Sequence, residues 1–305
     1  MFRWLILNII YIRETKETCD FIKRIVLRIK CFFNIIDIEK TGDKTIYNVP
    51  IFANQNINKY RTKRLFKQIV KKLEKAEVSN IVLSKFLHTV KYLKNNLYTE
   101  NINILDGRYL FKCLSYEIIE YILKRQNKYI ELSEISILVN DFTDINKKII
   151  IDIAKDTKSL KIITNNIDKC KDIENYLYNE FGILINISNN KKTSLLNSQI
   201  ILNFDFSEEI LNQYNIYSKA IIINLLEKIS IKNKKFNGIN INYLKINIPK
   251  QYRMEEFKNE EIYESVIYKR DFYTVKKITT EDKIKIIRLI GNNGVIRESE
   301  YIDKM

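Results

Sequence analysis

Between positions 135 and 225 the chain has five short apolar runs: Ile135–Asn140, Leu160–Asn165, Ile183–Ser188, Gln199–Phe204 and Lys219–Asn224. Near-continuous Ile, Leu and Val bounded by polar residues is how strands buried on both faces read. The stretches between them carry apolar residues at helical spacing. Thr143 is placed to N-cap a helix that lines up Ile145, Ile149 and Ile153. Asp168 is placed likewise before Ile173, Leu177 and Phe181, with Gly182 where a left-handed C-cap glycine belongs. The expected unit is a Rossmann-like parallel sheet over 131–225. Right-handed crossovers with one reversal after the third strand predict the spatial order 3-2-1-4-5.

Before this unit the pattern is mixed. A strand is predicted at Phe2–Ile12, and then a helix at Thr15–Lys30 with Phe21, Ile25 and Ile29 on its inner face. Strands follow at Asn34–Glu39 and Lys44–Val49, either side of a hairpin loop. Next comes a helix at Arg61–Lys75 with Leu65, Phe66, Ile69, Val70 and Leu73 in one stripe. Ile81–Ser84 and Ile102–Leu105 are strands around a helical run from Phe86 to Leu97. A long helix at about Arg108–Arg125, with Leu110, Leu114, Ile118 and Ile122 every four residues, links the two halves. The fold class is therefore α/β: two α/β domains joined by a long helix, residues 1–130 and 131–305, with a boundary near Gln126–Ser133. Past Leu225 the expectation is an irregular extension: a strand at Ile239–Ile248, strand-like runs at Ser265–Lys269 and Tyr273–Ile278, and a helix near Glu281–Ile290.

Composition narrows the class. With 305 residues, 46% hydrophobic and 29% charged, the chain has the balance of a globular protein and no apolar stretch of bilayer-spanning length. The apolar start is broken by Asn8 and followed by charges with no small-residue cleavage site, so it reads as a buried strand and the location as cytoplasmic. Four scattered cysteines without CxxC spacing read as buried thiols, and with His88 the only histidine no metal site is expected. Residues 1–130 hold 25 Lys and Arg against 12 Asp and Glu, net +13, whereas 131–305 hold 27 against 25, net +2. That asymmetry points to a polyanionic partner for the first half, RNA, DNA or an anionic surface, against the plainer reading of an AT-rich codon bias toward Lys. Lys63, Arg64, Lys67, Lys71 and Lys72 on the basic helix are the candidate anion-binding residues.

Element order makes residues 80–225 resemble two-domain dehydrogenases of the shikimate dehydrogenase and glutamyl-tRNA reductase type, in which a substrate domain precedes a Rossmann domain. Ile163-Thr-Asn-Asn-Ile-Asp-Lys169 is similar to the Asn-Arg-Thr segment with which NADP-using members hold the ribose phosphate. Asn165 matches, but Asn166 stands at the arginine position. By element order the family's proton-transferring Lys/Asp pair falls on Lys85 and Asp106, here without a surrounding motif; a surface lysine and a turn aspartate are the competing reading. The glycine fingerprint is missing too. The first strand is followed by Asn140-Asp-Phe-Thr-Asp144, with bulky Phe142 and two carboxylates where a backbone approach to pyrophosphate needs glycine.

Ligands of open parallel sheets bind at the carboxyl ends of the strands. The candidate binding rim is Asn140, Asp141, Thr143, Asn165, Asn166, Asn203, Asp205 and Asn224, although Asn is also a natural residue to end a strand. His88 is a general-base candidate only if a carboxylate orients it. The leading expectation is a non-catalytic binding or scaffold module with no cofactor. The alternatives are an NAD- or NADP-dependent oxidoreductase-like enzyme with atypical contacts, and a sequence-independent nucleic-acid binder using the basic first half.

Overall fold

The computed structural model describes residues 9–15, 21–51 and 59–302, so the start of the first predicted strand, the start of the first helix and Cys19 lie outside the described residues. The chain divides into two units, each with its own sheet. Unit 1 is residues 1–107 with 250–266, and unit 2 is residues 108–249 with 267–305. The boundary therefore lies at Gly107, not near 130, and a segment from beyond residue 249 returns to the first unit. Both sheets are mainly parallel, in keeping with two α/β domains.

Unit 1 runs β1 (Ile9–Glu14), α1 (Phe21–Phe33), β2 (Asp37–Thr41), β3 (Lys44–Val49), α2 (Lys59–Lys75), β4 (Asn80–Leu83), α3 (Lys91–Thr99) and β5 (Asn103–Ile104). Its strands lie in the order β2-β3-β1-β4-β5, and only the β2–β3 pair is antiparallel. The predicted stripe on α2 is its buried face: Leu65, Phe66, Ile69, Val70 and Leu73 are all in the core. The predicted run at Phe86–Leu97 is a short 3₁₀ turn, Leu87–Thr89, followed by α3. On α1 the expectation fails. Ile25 and Ile29 are 44% and 51% exposed, the buried residues among the described side chains of α1 are Leu27 and Cys31, and the side chain of Phe21 lies outside the described residues. Periodicity located the apolar stripe correctly, but it cannot say that the stripe faces the core.

Unit 2 begins with α4 (Arg108–Cys113) and α5 (Ser115–Arg125), so the predicted long helix is interrupted at Leu114. These helices pack on elements of unit 2, which is why the boundary precedes them. Then come β6 (Glu134–Leu138), α6 (Asp144–Asp156), β7 (Ser159–Ile163), α7 (Ile167–Phe181), β8 (Asn186–Ser188), β9 (Ile200–Asn203), α8 (Glu208–Leu211), β10 (Ile221–Asn224) and β11 (Ile239–Asn247). The segment α9 (Asn259–Ile267) falls almost wholly in unit 1; α10 (Phe272–Glu281), β12 (Lys285–Gly291), β13 (Gly294–Val295) and α11 (Glu298–Ile302) complete unit 2. The eight strands lie in the order β13-β12-β11-β10-β9-β6-β7-β8, parallel from β11 to β8. Thr143 caps α6, its Oγ1 accepting from the Asn146 N–H at 3.4 Å. Gly182 ends α7 with φ 66°. The cap residue before α7 is Asn166, not Asp168, which lies in the first turn and pairs with Lys171.

Past residue 250 three predictions are reversed. Ser265–Lys269 is the end of a helix and a turn, Tyr273–Ile278 is helical, and Glu281–Ile290 is mostly strand. The β-branched residues suggested strands, but Asp271 accepts from the Tyr273 and Thr274 N–H groups and nucleates α10, which buries Phe272, Val275 and Thr279 on one face. Lys283 adopts a left-handed φ of 52° and stops that helix, leaving Lys285–Gly291 to pair antiparallel with β11.

Helix α10 is tied to α5 and α6 by one side chain. Lys276 Nζ lies 2.7 Å from Glu117 Oε1 and 3.1 Å from Asp152 Oδ2, all three side chains partly buried. Burial alone pushes the lysine down, but the two carboxylates outweigh it and hold its pKa above 10.5. A base raised in the folded state stabilises fully below its unfolded value, and that contribution is lost as pH rises through the folded one. Lys276→Met is therefore expected to cost about 1–3 kcal/mol at neutral pH, because two partly buried carboxylates lose their cation. In urea titrations the gap from wild type should narrow above pH 10.5. A cost that is absent, or that grows with alkalinity, removes the ion-pair account.

Candidate functional site

The predicted rim of unit 2 forms one connected structure. β6 and β9 are neighbours, and the helices after them leave the sheet at the point where strand order reverses, the usual place for a ligand crevice. There the Asp205 carboxylate accepts from the Asn140 N–H through both oxygens at 2.9 Å and from the Asp141 N–H at 2.6 Å. Asn140 Oδ1 accepts from the Asn165 N–H at 2.8 Å, and its carbonyl accepts from Asn166 Nδ2 at 2.7 Å. The loop after β6 is thus pinned to the loops after β7 and β9. Phe142 is buried beneath it.

The other half of the rim is an asparagine ladder. Asn203, buried at the end of β9, closes its own loop by donating to Phe206 O and accepting from the Phe206 N–H, both at 2.9 Å, and donates to Asn224 Oδ1 at 3.2 Å. Asn224, fully buried at the end of β10, donates to Asn240 Oδ1 at 2.6 Å and Asn242 Oδ1 at 3.0 Å. Asn242 in turn donates to Asn292 Oδ1 at 2.7 Å in the β12–β13 turn. Sequence reading named Asn203 and Asn224 but missed Asn240, Asn242 and Asn292. The only local signal of Asn240 and Asn242 is polarity at alternate positions of a largely apolar strand, and that of Asn292 is its place in a Gly-Asn-Asn-Gly turn.

Lys112 on α4 is a second omission. Its Nζ lies 5.5 Å from the Phe204 ring centroid, and burial pushes its pKa down against the pull of Asp205. Burial likewise lifts the Asp205 carboxyl above its ordinary value, despite the two backbone N–H groups that favour its charge. Both shifts are set first by burial, and the opposite charges of Lys112 and Asp205 attract each other through space, which partly offsets that cost.

In unit 1 the Lys85/Asp106 expectation receives no joint geometry: Lys85 Nζ donates to Glu255 O at 2.7 Å, and Asp106 lies just beyond β5 with interactions of its own. A carboxylate does orient His88. Its Nε2 is 2.9 Å from Oε2 of Glu261, a fully buried acid that also takes Lys258 Nζ at 2.7 Å. The strand ends of β1 and β3 hold a charged cluster that sequence reading overlooked: Arg13 donates to Asn48 Oδ1 at 2.7 Å, to Glu39 at 2.8 Å and to Glu256 at 2.9 Å. Of the candidate anion-binding residues, Lys63, Arg64, Lys67 and Lys71 are exposed on one helix, while Lys72 is turned to Ile36 O at 3.0 Å. Cys31, Cys113 and Cys170 are buried free thiols, and burial pushes Cys170 up to about 12, so it is inert as a nucleophile at neutral pH. No group of three or more His, Cys, Asp or Glu residues with metal-binding geometry occurs among the described residues.

No protein-family model and no curated protein matches the sequence. Among solved structures the chain is similar to an L-tryptophan dehydrogenase from Nostoc punctiforme, with a TM-score of 0.33 and 7% identity over 75% of this chain and 65% of that one. It is similar also to an ornithine carbamoyltransferase from Pyrococcus furiosus, with a TM-score of 0.28 and 8% identity over 72% of each chain. An aspartate transcarbamoylase from Trypanosoma cruzi gives a TM-score of 0.26 at 7% identity over 71% of this chain and 70% of that one. The chain spans slightly less than two thirds of the dehydrogenase it matches, and at these TM-scores neither the dehydrogenase's nor the transferases' chemistry passes to it.

Proposed function

We propose that the second unit is a Rossmann-like sheet serving as a binding or scaffold module without dinucleotide chemistry. The observation that carries this reading is the Asp205 carboxylate seated on the Asn140 and Asp141 N–H groups. In a dinucleotide site the loop after the first strand and the following helix N-terminus receive the pyrophosphate. Here the chain supplies its own anion. An incoming phosphate must displace Asp205 and approach Asp141, in a segment, 131–225, whose net charge is −3 from 10 Lys and Arg against 13 Asp and Glu. Thr143 already caps the helix that the phosphate would need.

The expected outcome is no saturable calorimetric isotherm for wild type with NAD or NADP up to millimolar concentration, and no rise in melting temperature. A clear isotherm overturns the reading and supports the oxidoreductase alternative. In that case Asn166→Arg should shift preference toward NADP, since it restores the missing phosphate clamp.

A second reading concerns the first unit, as a sequence-independent binder of polyanions. Its support is the face of Lys63, Arg64, Lys67 and Lys71 on α2, exposed along successive turns. Such a face neutralises phosphates without reading bases.

A further inference from the structure

Helix α1 turns its apolar stripe outward. Ile22, Ile25, Val26, Ile29 and Phe33 recur at three- and four-residue intervals and so share a face. They are exposed by 72%, 44%, 45%, 51% and 54%. The rest of the helix includes Lys23, Arg24, Arg28 and Lys30, the last paired with Asp37 at 2.7 Å, and no acid, and among its described side chains only Leu27 and Cys31 are buried. Beside the stripe is a cleft of about 390 Å³ whose lining includes Arg28 and Phe32 of α1 and Tyr60, Arg61 and Arg64 of α2. Arg61 is fixed there by donating to Pro50 O at 2.9 Å. α2 adds the exposed Lys63, Arg64, Lys67 and Lys71, and its sequence Lys59–Lys75 holds eight Lys and Arg against one Glu.

We propose that this face of the first unit docks on an anionic phospholipid bilayer, with the stripe of α1 immersed at the headgroup boundary and the arginines of the cleft on lipid phosphates. The proposal rests on the polyanion reading of that unit and names its partner. A nucleic acid neutralises the cations but leaves the apolar stripe in water. A second copy of the chain covers the stripe but sets cations against cations. An anionic bilayer satisfies both at once. Thirteen residues rising 1.5 Å each give about 20 Å, short of the roughly 30 Å hydrocarbon core, so α1 lies in the interface and does not cross it. No helix among the described residues is long and apolar enough to span a bilayer.

The test is co-sedimentation of the full chain with unilamellar vesicles of phosphatidylcholine alone or with about one quarter phosphatidylglycerol, alongside heparin chromatography and sedimentation velocity. Wild type should bind the anionic vesicles only. Ile25→Gln with Ile29→Gln, both at exposed positions and without change of charge, should weaken that binding about a hundredfold while leaving heparin retention unchanged. Arg28→Gln with Arg64→Gln should weaken both, the vesicle binding by roughly thirtyfold, about fivefold per charge. If wild type is retained on heparin but ignores anionic vesicles, the membrane proposal falls and the polyanion reading stands; if it binds neither, both fall. Equal binding to the two vesicle types, or a dimer that the Ile25/Ile29 variant dissociates, also overturns the proposal. The wild-type comparisons decide it even where a variant fails to fold.

Discussion

Asn224→Asp, which exchanges one side chain for another of nearly identical shape, is expected to destabilise the protein more than Asn224→Ala. The reason is donor polarity. The Asn224 amide nitrogen faces three acceptors, Asn240 Oδ1 at 2.6 Å, Asn242 Oδ1 at 3.0 Å and Ile241 O at 3.3 Å, from a position with no solvent exposure. Alanine removes those bonds and leaves partly unpaired acceptors and a small void, a cost of about 2–4 kcal/mol. Aspartate places a carboxylate oxygen against the same acceptors without water. Ionised, it meets repulsion and desolvation together, and the expected loss at pH 7 is about 4–5 kcal/mol.

The two variants also differ in pH dependence. Burial raises the folded pKa of an introduced acid above its unfolded value of about 3.9. The aspartate variant then holds its extra proton more tightly when folded, so its stability falls as pH rises from that value through the folded pKa. Denaturant titrations from acid to neutral pH should show the Asp deficit growing and the Ala deficit staying level. Equal, pH-independent stabilities for Asn224→Asp and wild type would show that the ladder does not hold this amide as described.

What the sequence disclosed follows the range of the interactions responsible. The strands of 135–225, the Thr143 cap and the Gly182 terminus are set by neighbours within a turn or two, and the alternation of apolar runs shows them directly. The rim was legible as a position, because polar residues end each parallel strand, but its state was not. Asp205 lies 65 residues from the N–H group of Asn140 that it occupies, and His88 lies 173 from Glu261. No local spacing encodes such pairings. The abundance of asparagine hid the ladder as well: Asn240, Asn242 and Asn292 look like composition until β11 is laid beside β10. On α1 the failure is of another kind. Helical period reveals that a face is apolar, and which way it points is decided by tertiary packing, so the stripe expected inside is outside.

The same closeness of β10 and β11 makes Gly238 the most demanding backbone position of unit 2. A Cβ there would lie 2.0 Å from the carbonyl oxygen of Ala220 and 2.6 Å from two carbons of the Phe236 ring. The Phe236 side chain can yield, but the Ala220 carbonyl cannot do so cheaply. It accepts from the Ile239 N–H at 3.0 Å, the bond that begins the β10–β11 pairing, and Ala220 is fully buried. Gly238→Ala is accordingly expected to lose about 3 kcal/mol or more, at or beyond the upper end of overpacking costs, because relief requires displacing a strand. Gly182→Ala is the internal control. Its φ of 66° strains an alanine, but nothing lies within 4 Å of the added methyl, so about 1 kcal/mol is expected. Urea midpoints that do not separate the two variants would contradict a close approach at Gly238. Because displacing the start of β11 also moves Asn240 and Asn242, Gly238→Ala and Asn224→Ala share one structure. Combined, they should cost measurably less than the sum of the two, since the first has already loosened the bonds that the second removes.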